Sequence, residues 1–450
     1  MPRLQQMTRL RKVVLILCFI MFYPLSAQAD IKITTWDENI KLTKTGKEVE
    51  VKIQGKVFGL KKNYYHNSYF FSFSSQQNIT IKKVIIGNQL ANYSFQNNQI
   101  KINFKKKKKN GDRVSIYFSY KEKYKKIYEF LRQESIYVPE FAKGAQARVY
   151  ISFPWAFESA TLNKNVVKVG NGYRYSGVVP EGGVKEKIKL TLSKNSWDVV
   201  MHDSVIATNG VGNAEVSIPK YFKDSGQRRG RDSTISTPRQ NNKSANGNKD
   251  IFIYKDLSKN NIDIVTKARV YTGRHNRTRI NRDPRKYLTI DPYQKALLTP
   301  ILQTIKRDPA LQGLPLYAKI GQYVHNYIQY DINYVGRLLS VEQIINGKTG
   351  VCIEYAQLFN SLARLAGIPS LVAYGAANGE YDKFEGHAWN LIYYRKKWIY
   401  VDPTWNLMSG IVSSSHIYFH DESAKSIEIK YYKRNGDVKV KKDFKIVRFE

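Results

Sequence analysis

The first half of the chain alternates apolar and polar residues with the period of a β-strand. Between residues 31 and 220, short runs place every second side chain on one apolar face, and polar turn pairs separate the runs. Strands that bury one face and expose the other are typical of antiparallel sheets. The pattern predicts an antiparallel β-rich region over residues 30–220, built as one or two sandwiches. The apolar faces include Val49, Val51 and Ile53; Ile100, Ile102 and Phe104; Val114, Ile116 and Phe118; and Ile188, Leu190 and Leu192.

The composition changes from Lys223 to Asp250, in a stretch that we assign as the segment 221–250 between two regions. This stretch is polar, rich in Gly, Ser, Asn and Arg, and nearly empty of large apolar side chains. Such a segment cannot bury enough surface to offset the entropy lost on ordering. We therefore expect a flexible linker, or a long exposed loop, between two folded regions.

Helical periodicity appears after residue 251. Apolar residues recur at helical spacing from Leu314 to Gln329 and again from Tyr355 to Leu365, where a glycine and a proline follow. Two β-rich runs then flank Arg395-Lys396-Lys397. Helices followed by a hairpin predict an α+β domain over residues 251–450.

Residues 1–29 have the features of an export signal. Basic residues precede the apolar run Val13–Leu25, and Ala27-Gln28-Ala29 is a small-x-small cleavage site. The run is shorter than the roughly 20 residues that cross a bilayer. We expect an exported protein, periplasmic or secreted, with no transmembrane anchor after cleavage near Asp30. An uncleaved anchor is the alternative.

Cysteine usage becomes informative in an exported chain. There are two cysteines, Cys18 and Cys352, and the first would leave with the signal. Exported proteins usually pair their cysteines as disulfides, so a lone cysteine is accidental, intermolecular or reactive. Composition alone does not choose among these three fates.

The chain is strongly basic, with a formal net charge of +36. Such a charge favours anionic partners, and cell-envelope polymers are the ones that an exported protein would meet. The alternative is that lysine is simply abundant in this chain. We find no zinc-finger spacing, helix-turn-helix or RNA-recognition motif, so the sequence indicates no specific nucleic-acid partner.

Cys352 lies where the second predicted helix begins. A helix N-terminus favours negative charge and so raises the fraction of thiolate, which is the nucleophilic form of cysteine. The backbone N–H of Cys352 is also placed to bind an oxyanion. A buried structural cysteine is the alternative. Glu354, two residues further on, is either a support for this site or an exposed glutamate of the first helical turn.

His387 and Asp402 lie on the two strands of the predicted hairpin. If Arg395-Lys396 is the turn, His387 faces Thr404, and Asp402 lies diagonally next to His387 on the same face of the sheet. A carboxylate within reach would fix the imidazole tautomer and stabilise its protonated form. A three-residue turn would change this parity.

Three segments, taken in order, resemble the transglutaminase-like superfamily. They are KTGVCIEYAQLFNSLARLAGIPSLVAYG from Lys348, EGHAWN from Glu385 and WIYVDPTWN from Trp398, preceded by a helix that ends in IQYD. The resemblance covers about Leu316 to Asn406. It implies a papain-like fold with Cys352 as nucleophile, His387 as base and Asp402 as the orienting acid. Tyr330 and Gln343 are the candidates for a second oxyanion donor.

The resemblance implies acyl transfer through a thioester, on protein or peptide amides. We favour hydrolysis, as in a protease or deamidase. A cross-linking transglutaminase and a non-catalytic binding or scaffold protein of the cell envelope are the alternatives. The sequence has no EF-hand or zinc signature, so it calls for no metal or other cofactor.

Overall fold

The computed structural model describes most of the chain beyond residue 29. The predicted export signal, residues 1–29, lies outside the described residues. Among the described residues, no helix is both long and apolar enough to cross a bilayer. The described residues are 30–43, 46–60, 65–73, 78–123, 131–153, 157–159, 165–192, 194–207, 212–222, 227–237, 239–240, 242–246, 249–257, 261–273, 280–378, 383–424, 427–431 and 438–448.

Strands dominate this part of the chain. In the first half they are β1 (Asp30–Leu42), β2 (Gly46–Phe58), β3 (His66–Ser72), β4 (Asn78–Ile86), β5 (Gln89–Leu90), β6 (Tyr93–Gln96), β7 (Gln99–Lys108), β8 (Arg113–Lys123), β9 (Leu131–Val138), β10 (Gln146–Ser152), β11 (Phe157–Ser159), β12 (Val166–Val169), β13 (Gly172–Val178), β14 (Val184–Leu192), β15 (Lys194–Ala207) and β16 (Gly212–Pro219).

The second half adds further strands and the α-helices. The strands are β17 (Arg228–Thr237), β18 (Asn242–Asn246), β19 (Lys249–Leu257), β20 (Asn261–Gly273), β21 (Gln329–Tyr330), β22 (Thr349–Gly350), β23 (Ser370–Asn378), β24 (Phe384–Tyr394), β25 (Lys397–Val401), β26 (Ile417–Asp421), β27 (Glu428–Tyr431) and β28 (Val438–Arg448). The helices are α1 (Pro292–Arg307), α2 (Leu316–Tyr327), α3 (Val341–Gly347) and α4 (Cys352–Leu365).

The chain divides into two compact units, and the first is a β structure. Its described residues lie within the ranges 30–127, 137–154 and 168–185. Its main sheet has eight strands in the order β12-β13-β10-β1-β2-β8-β4-β5, and a second sheet has the order β3-β7-β6. The register pairs its strands antiparallel apart from β1 with β10. The predicted apolar faces of β2, β7 and β8 are buried, so the predicted antiparallel β-rich region is confirmed.

The second unit contains a β-sandwich and comprises residues 128–136, 155–167 and 186–450. One sheet has the order β17-β20-β15-β28 and the other β18-β19-β16-β27. Trp197, Val216, Phe252 and Ile264 lie in the core of this unit and are almost fully buried. The two C-terminal strands therefore return to pair with strands that precede residue 220.

The prediction of a flexible linker over residues 221–250 is wrong for the described residues. This range contains β17, β18 and the start of β19. Strands β17 and β18 are each at the edge of their sheet, where a polar sequence is tolerated because one side faces solvent. Their apolar neighbours β20 and β19 supply the hydrogen-bonding partners. The predicted boundary at residue 250 accordingly cuts through a sandwich.

The rest of the second unit carries the helices. A four-stranded sheet of order β25-β24-β23-β26 packs against α4, and α1 and α2 pack on α4 from the other side. Helices α2 and α4 confirm the two helices that the apolar spacing predicts, and Gly367 ends α4 with a φ of +76°. This arrangement confirms the α+β class and the C-terminal position of this domain.

Candidate active site

Cys352 is the first residue of α4 and is half-buried. Directly before it, β22 pairs in parallel with β21, so that Tyr330 lies opposite Gly350. The amide of Asp331 also donates to the Gly350 carbonyl, at 3.0 Å. These bonds hold the segment that presents the thiol. As the first residue of a helix, Cys352 has an amide without an intrahelical partner.

Glu354 anchors the same segment from inside the helix. Its carboxylate accepts a hydrogen bond from the Val351 amide at 2.8 Å, and the side chain is fully buried. The reading of Glu354 as an exposed residue is therefore wrong. A Cβ on Gly350 would lie only 2.6 Å from the Glu354 Cβ, so glycine is needed here for close packing against this carboxylate arm.

His387 and Asp402 meet across the hairpin of β24 and β25. Tyr394 pairs with Lys397, which makes Arg395-Lys396 a two-residue turn and confirms the predicted register. Both turn residues have positive φ, 49° and 60°, as a type I′ hairpin turn requires. His387 Nε2 lies 2.9 Å from Asp402 Oδ2, as the predicted diagonal placement on one face would allow.

Asp402 is fully buried and has hydrogen-bond partners on both carboxylate oxygens. Oδ1 accepts from the amides of Thr404 at 2.8 Å and Trp405 at 3.2 Å. Oδ2 meets the Nε2 atoms of His387 and, at 3.0 Å, of His416. Burial acts to raise the pKa of Asp402, but the charge of His387 and these hydrogen bonds outweigh it and lower the pKa below its usual value.

The same contacts act on His387 with the opposite sign. Burial acts to lower its pKa, but the charge of Asp402, the hydrogen bond to it and the hydrogen bond and charge of Cys352 together raise the pKa to about 10. Because Nε2 faces Asp402, Nδ1 is the ring nitrogen left for the sulfur. Cys352 packs against the apolar cluster that includes Ala388, the residue after His387, so the thiol lies near the imidazole–carboxylate pair.

Two tryptophans fix the plane of the His387 ring. Trp405 stacks on it with ring centroids 4.7 Å apart, and Trp389 stacks with a separation of 5.8 Å. The Trp405 carbonyl accepts a hydrogen bond from Lys189, which holds this loop in place. The side chain of His387 is 7% exposed, so the rings leave it only a narrow opening to solvent.

The two candidate oxyanion donors have different surroundings. Tyr330 pairs with Gly350 of residues 349–352, which we call the nucleophile segment, and is 51% exposed. Partial burial and then the charge of Cys352 raise its pKa to about 12, so it keeps its proton at neutral pH. Gln343 belongs to a capping box at the start of α3, where its carboxamide oxygen accepts from the Ser340 amide at 2.8 Å. The oxyanion role remains a prediction for both.

His416 is the residue of this site that sequence reasoning missed. It follows a run of serines and directly precedes the apolar residues of β26, a pattern that indicates entry into a buried strand. Nothing in the pattern marks it as a partner of Asp402. His387, Asp402 and His416 each offer a potential metal ligand, and these atoms lie within 4.8 Å of one another. The separations of 2.9 and 3.0 Å are those of hydrogen bonds, which account for the cluster.

Comparison with known proteins agrees with this geometry. Residues 310–403 match the family model described as Transglutaminase-like superfamily. No curated protein sequence gives a significant match. These 94 or so residues include Cys352, His387 and Asp402.

Solved structures give weaker likenesses. A candidate cysteine protease from Cytophaga hutchinsonii aligns over 57% of this chain and 92% of its own, with 16% identity and a TM-score of 0.41. Leukotriene A4 hydrolase from Saccharomyces cerevisiae aligns over 39% of this chain and 31% of its own, with 13% identity and a TM-score of 0.28.

A third likeness is an M1 zinc metallopeptidase from Deinococcus radiodurans. It aligns over 41% of this chain and 45% of its own length, with 7% identity and a TM-score of 0.26. Likenesses this distant carry no conclusion about activity. The segment from residue 310 to residue 403 is therefore a transglutaminase-like core within a longer chain.

Proposed function

We propose that this protein is an exported thiol enzyme that hydrolyses peptide or glutamine-type amides through a thioester on Cys352. The observation that supports it best is the buried His387–Asp402 hydrogen bond, in a strand whose Ala388 belongs to the cluster against which Cys352 packs. With its pKa raised to about 10, His387 is an imidazolium at neutral pH. An imidazolium beside a thiol stabilises the thiolate, which is the attacking species.

The reaction follows from these protonation states. The Cys352 thiolate attacks the amide carbonyl, and His387 gives its Nδ1 proton to the leaving amine as the C–N bond breaks. The neutral imidazole then takes a proton from water, whose oxygen attacks the thioester carbonyl. Release of the acid restores the thiolate and the imidazolium. Asp402 stays ionised throughout and holds the ring in one orientation.

Oxyanion stabilisation comes from the start of α4 in this proposal. The amide of Cys352 has no intrahelical partner and points to where the charge develops. Tyr330 is the side-chain donor that we favour, because it keeps its proton and its pKa responds to the charge of Cys352. The carboxamide oxygen of Gln343 is occupied in a capping box, so Gln343 is the weaker candidate.

Water is the acyl acceptor that we favour. Cys352 is only half-buried and Tyr330 is half-exposed, so solvent has access to a thioester formed there. A transferase must keep water away from the intermediate. Amine transfer, and with it cross-linking, is therefore the alternative outcome of the experiment below.

A polypeptide substrate is supported by the surface next to the nucleophile. Ile332 and Val335 are each 62% exposed and Leu338 is 86% exposed, all in the segment that follows Tyr330. Single exposed apolar residues are common, but a group of them beside a reactive side chain marks a binding surface. We call residues 330–338 the apolar rim.

Export and an anionic partner are parts of the same proposal. The signal features of residues 1–29 support delivery across the membrane. The net charge of +36 supports contact with anionic envelope polymers. Such contact would weaken steeply as salt is added.

Labelling with iodoacetamide tests the thiol chemistry. The full chain should be alkylated at Cys352 at neutral pH, and His387→Ala should slow this by about 100-fold. Cys352→Ala is the control for labelling elsewhere. Equal rates in the wild-type chain and the His387 variant would exclude the proposal.

A glutamine-containing peptide then separates the release steps. The peptide is offered with and without a primary amine. Ammonia together with a free acid means hydrolysis, whereas incorporation of the amine means a transglutaminase. A chain that does neither, and in which Cys352 is also unreactive, would be a binding protein.

A further inference from the structure

His416 is a second histidine on the carboxylate that orients His387. Its Nε2 lies 3.0 Å from Asp402 Oδ2, the same oxygen that meets His387. The His416 residue is 1% exposed. Trp389 and Trp405, which stack on His387, pack edge-on against the His416 ring at 5.0 and 4.8 Å. The two histidines therefore share one carboxylate and one pair of tryptophans.

The hydrogen-bond partners of His416 determine its tautomer. The ionised carboxylate of Asp402 can only accept, so Nε2 of His416 must carry the hydrogen. Burial lowers the pKa of His416, so the ring is neutral and its Nδ1 is an acceptor. Ser413 Oγ lies 2.7 Å from Nδ1 and donates to it. Ser415 Oγ, 2.8 Å from Ser413 Oγ, extends this chain of hydroxyl groups.

These contacts occupy the hydrogen-bond acceptor sites of the Asp402 carboxylate. Two backbone amides bind Oδ1 and two imidazoles bind Oδ2, which uses the roughly four acceptor sites of a carboxylate. A buried carboxylate with all its sites filled stays ionised and cannot turn. Without the His416 donor, one lone pair of Oδ2 would face protein with no partner, and the group would be free to rotate or to take up a proton.

We propose that His416 is a positioning residue for the thiol chemistry, which it supports through Asp402, and that Ser413 selects the tautomer that lets it do so. This inference rests on the proposed function. His416 touches neither the thiol nor the substrate in this scheme. The titratable groups that face it are Asp402 and His387, while Ser413, Trp389 and Trp405 are its uncharged neighbours.

Two adjacent buried serines provide a matched test. Ser413→Ala removes the hydroxyl that donates to His416, whereas Ser414→Ala removes a buried hydroxyl for which the described residues offer no hydrogen-bond partner. The rate of Cys352 alkylation by iodoacetamide is measured from pH 5 to 11 in the full chain. The change in alkylation rate that accompanies loss of the His387 proton at high pH is the alkaline limb of this profile. We expect Ser413→Ala to shift this limb to lower pH and to slow the reaction at neutral pH. Ser414→Ala should leave the profile unchanged.

Variants at His416 test the donor itself. His416→Phe keeps a ring but no N–H, and should slow alkylation at neutral pH by about 10-fold, with the same shift of the alkaline limb. His416→Gln keeps an amide donor on a side chain of similar reach and should recover most of the rate. If His416→Phe does not fold, the serine pair and His416→Gln still decide the matter.

The outcomes are distinguishable. A purely structural role for His416 would lower the melting temperature of the variants while leaving the pH profile in place, and this result overturns the inference. Equal profiles for Ser413→Ala and Ser414→Ala overturn it as well. If His387→Ala is alkylated as fast as the wild-type chain, the proposed function is wrong, and the inference about His416, which rests on it, is wrong as well.

Discussion

His387 is subject to two opposing influences, and their balance sets the chemistry of the site. Burial favours the neutral ring, whereas Asp402 and Cys352 favour the charged one. Their effect is the larger and raises the pKa of His387 to about 10. The proton is therefore retained from acid to mildly alkaline pH. It is lost as the pH rises through about 10, and the thiolate–imidazolium pair is lost with it.

Asp402→Asn should reverse this balance. The variant keeps a side chain of the same shape but no charge, so the largest influence that raises the pKa of His387 is lost and this pKa falls. At neutral pH the ring is then neutral and the thiol keeps its proton. We expect alkylation of Cys352 by iodoacetamide to be about 100-fold slower at pH 7 and to rise with pH as the thiol ionises unaided.

Glu385→Gln is the control for this charge change. It removes one negative charge two residues before His387, at an exposed position. Its alkylation profile should follow that of the wild-type chain. A flat profile in Asp402→Asn, with the wild-type rate at pH 7, would show that Asp402 does not set the protonation of His387.

The nucleophile segment is an element whose shape depends on one close contact. Gly350 packs against Glu354, and that carboxylate in turn holds the Val351 amide next to Cys352. The bond is buried, so its loss leaves a charged or polar group without a partner. The position of the thiol is therefore coupled to the packing of Gly350 against Glu354.

Gly350→Ala should displace Glu354 and release this segment. The added methyl group would lie 2.6 Å from the Glu354 Cβ, which is far inside contact distance. We expect a loss of about 1–3 kcal/mol in the free energy of unfolding and slower alkylation of Cys352. Urea denaturation and the labelling rate measure the two effects. Gly347→Ala, at the end of α3 and with no atom within 4 Å of the added Cβ, should be close to wild type in both.

The apolar rim is an element that should act on substrate and not on the thiol. Changing Ile332, Val335 and Leu338 together to serine removes exposed apolar surface without opening the core. We expect the KM for a glutamine peptide with leucine on both sides to rise by about 10-fold, because about 1.4 kcal/mol of contact is lost. The rate with iodoacetamide, which has no such side chains, should not change.

A second triple variant controls for the loss of apolar surface as such. Ile235, Val440 and Val447 are also exposed, on β17 and β28, and their change to serine should leave the KM as it was. Equal effects of the two triple variants would argue against a binding role for the rim.

Local patterns in the sequence predict the helices and strands that carry the site. They do not predict features that depend on contacts with residues distant in the sequence. The spacing of apolar residues predicts α2 and α4. The alternation of side chains along the two hairpin strands predicts that Asp402 lies next to His387. The polar β17 gives no such signal, because its partner β20 supplies the pairing. His416 carries no signal either, since its role depends on a carboxylate fourteen residues away that it meets only in the folded chain.

At the scale of the whole molecule, the domain that carries the site does not begin where the sequence suggests. Strands β15 and β16 pair with β20 and β19, and with the C-terminal strands β28 and β27. The core of this sandwich also includes Ala376, Ile417 and Phe419 of the sheet that holds His387. The sandwich is thus part of the support of the site and not a separate module.

A fragment of residues 251–450 should therefore fail to fold, although it contains Cys352, His387 and Asp402. It lacks β15 and β16, so β19, β20, β27 and β28 lose their partners and about half of the core around Phe252 is uncovered. Each large apolar side chain left exposed costs roughly 1.5–3 kcal/mol, and a few of them exceed the stability of an ordinary domain. We expect the fragment to show no cooperative melting by circular dichroism and no enhanced alkylation of Cys352. If it melts cooperatively and reacts like the full chain, the site needs only its own sheet and helices, and the sandwich is a neighbour and not a support.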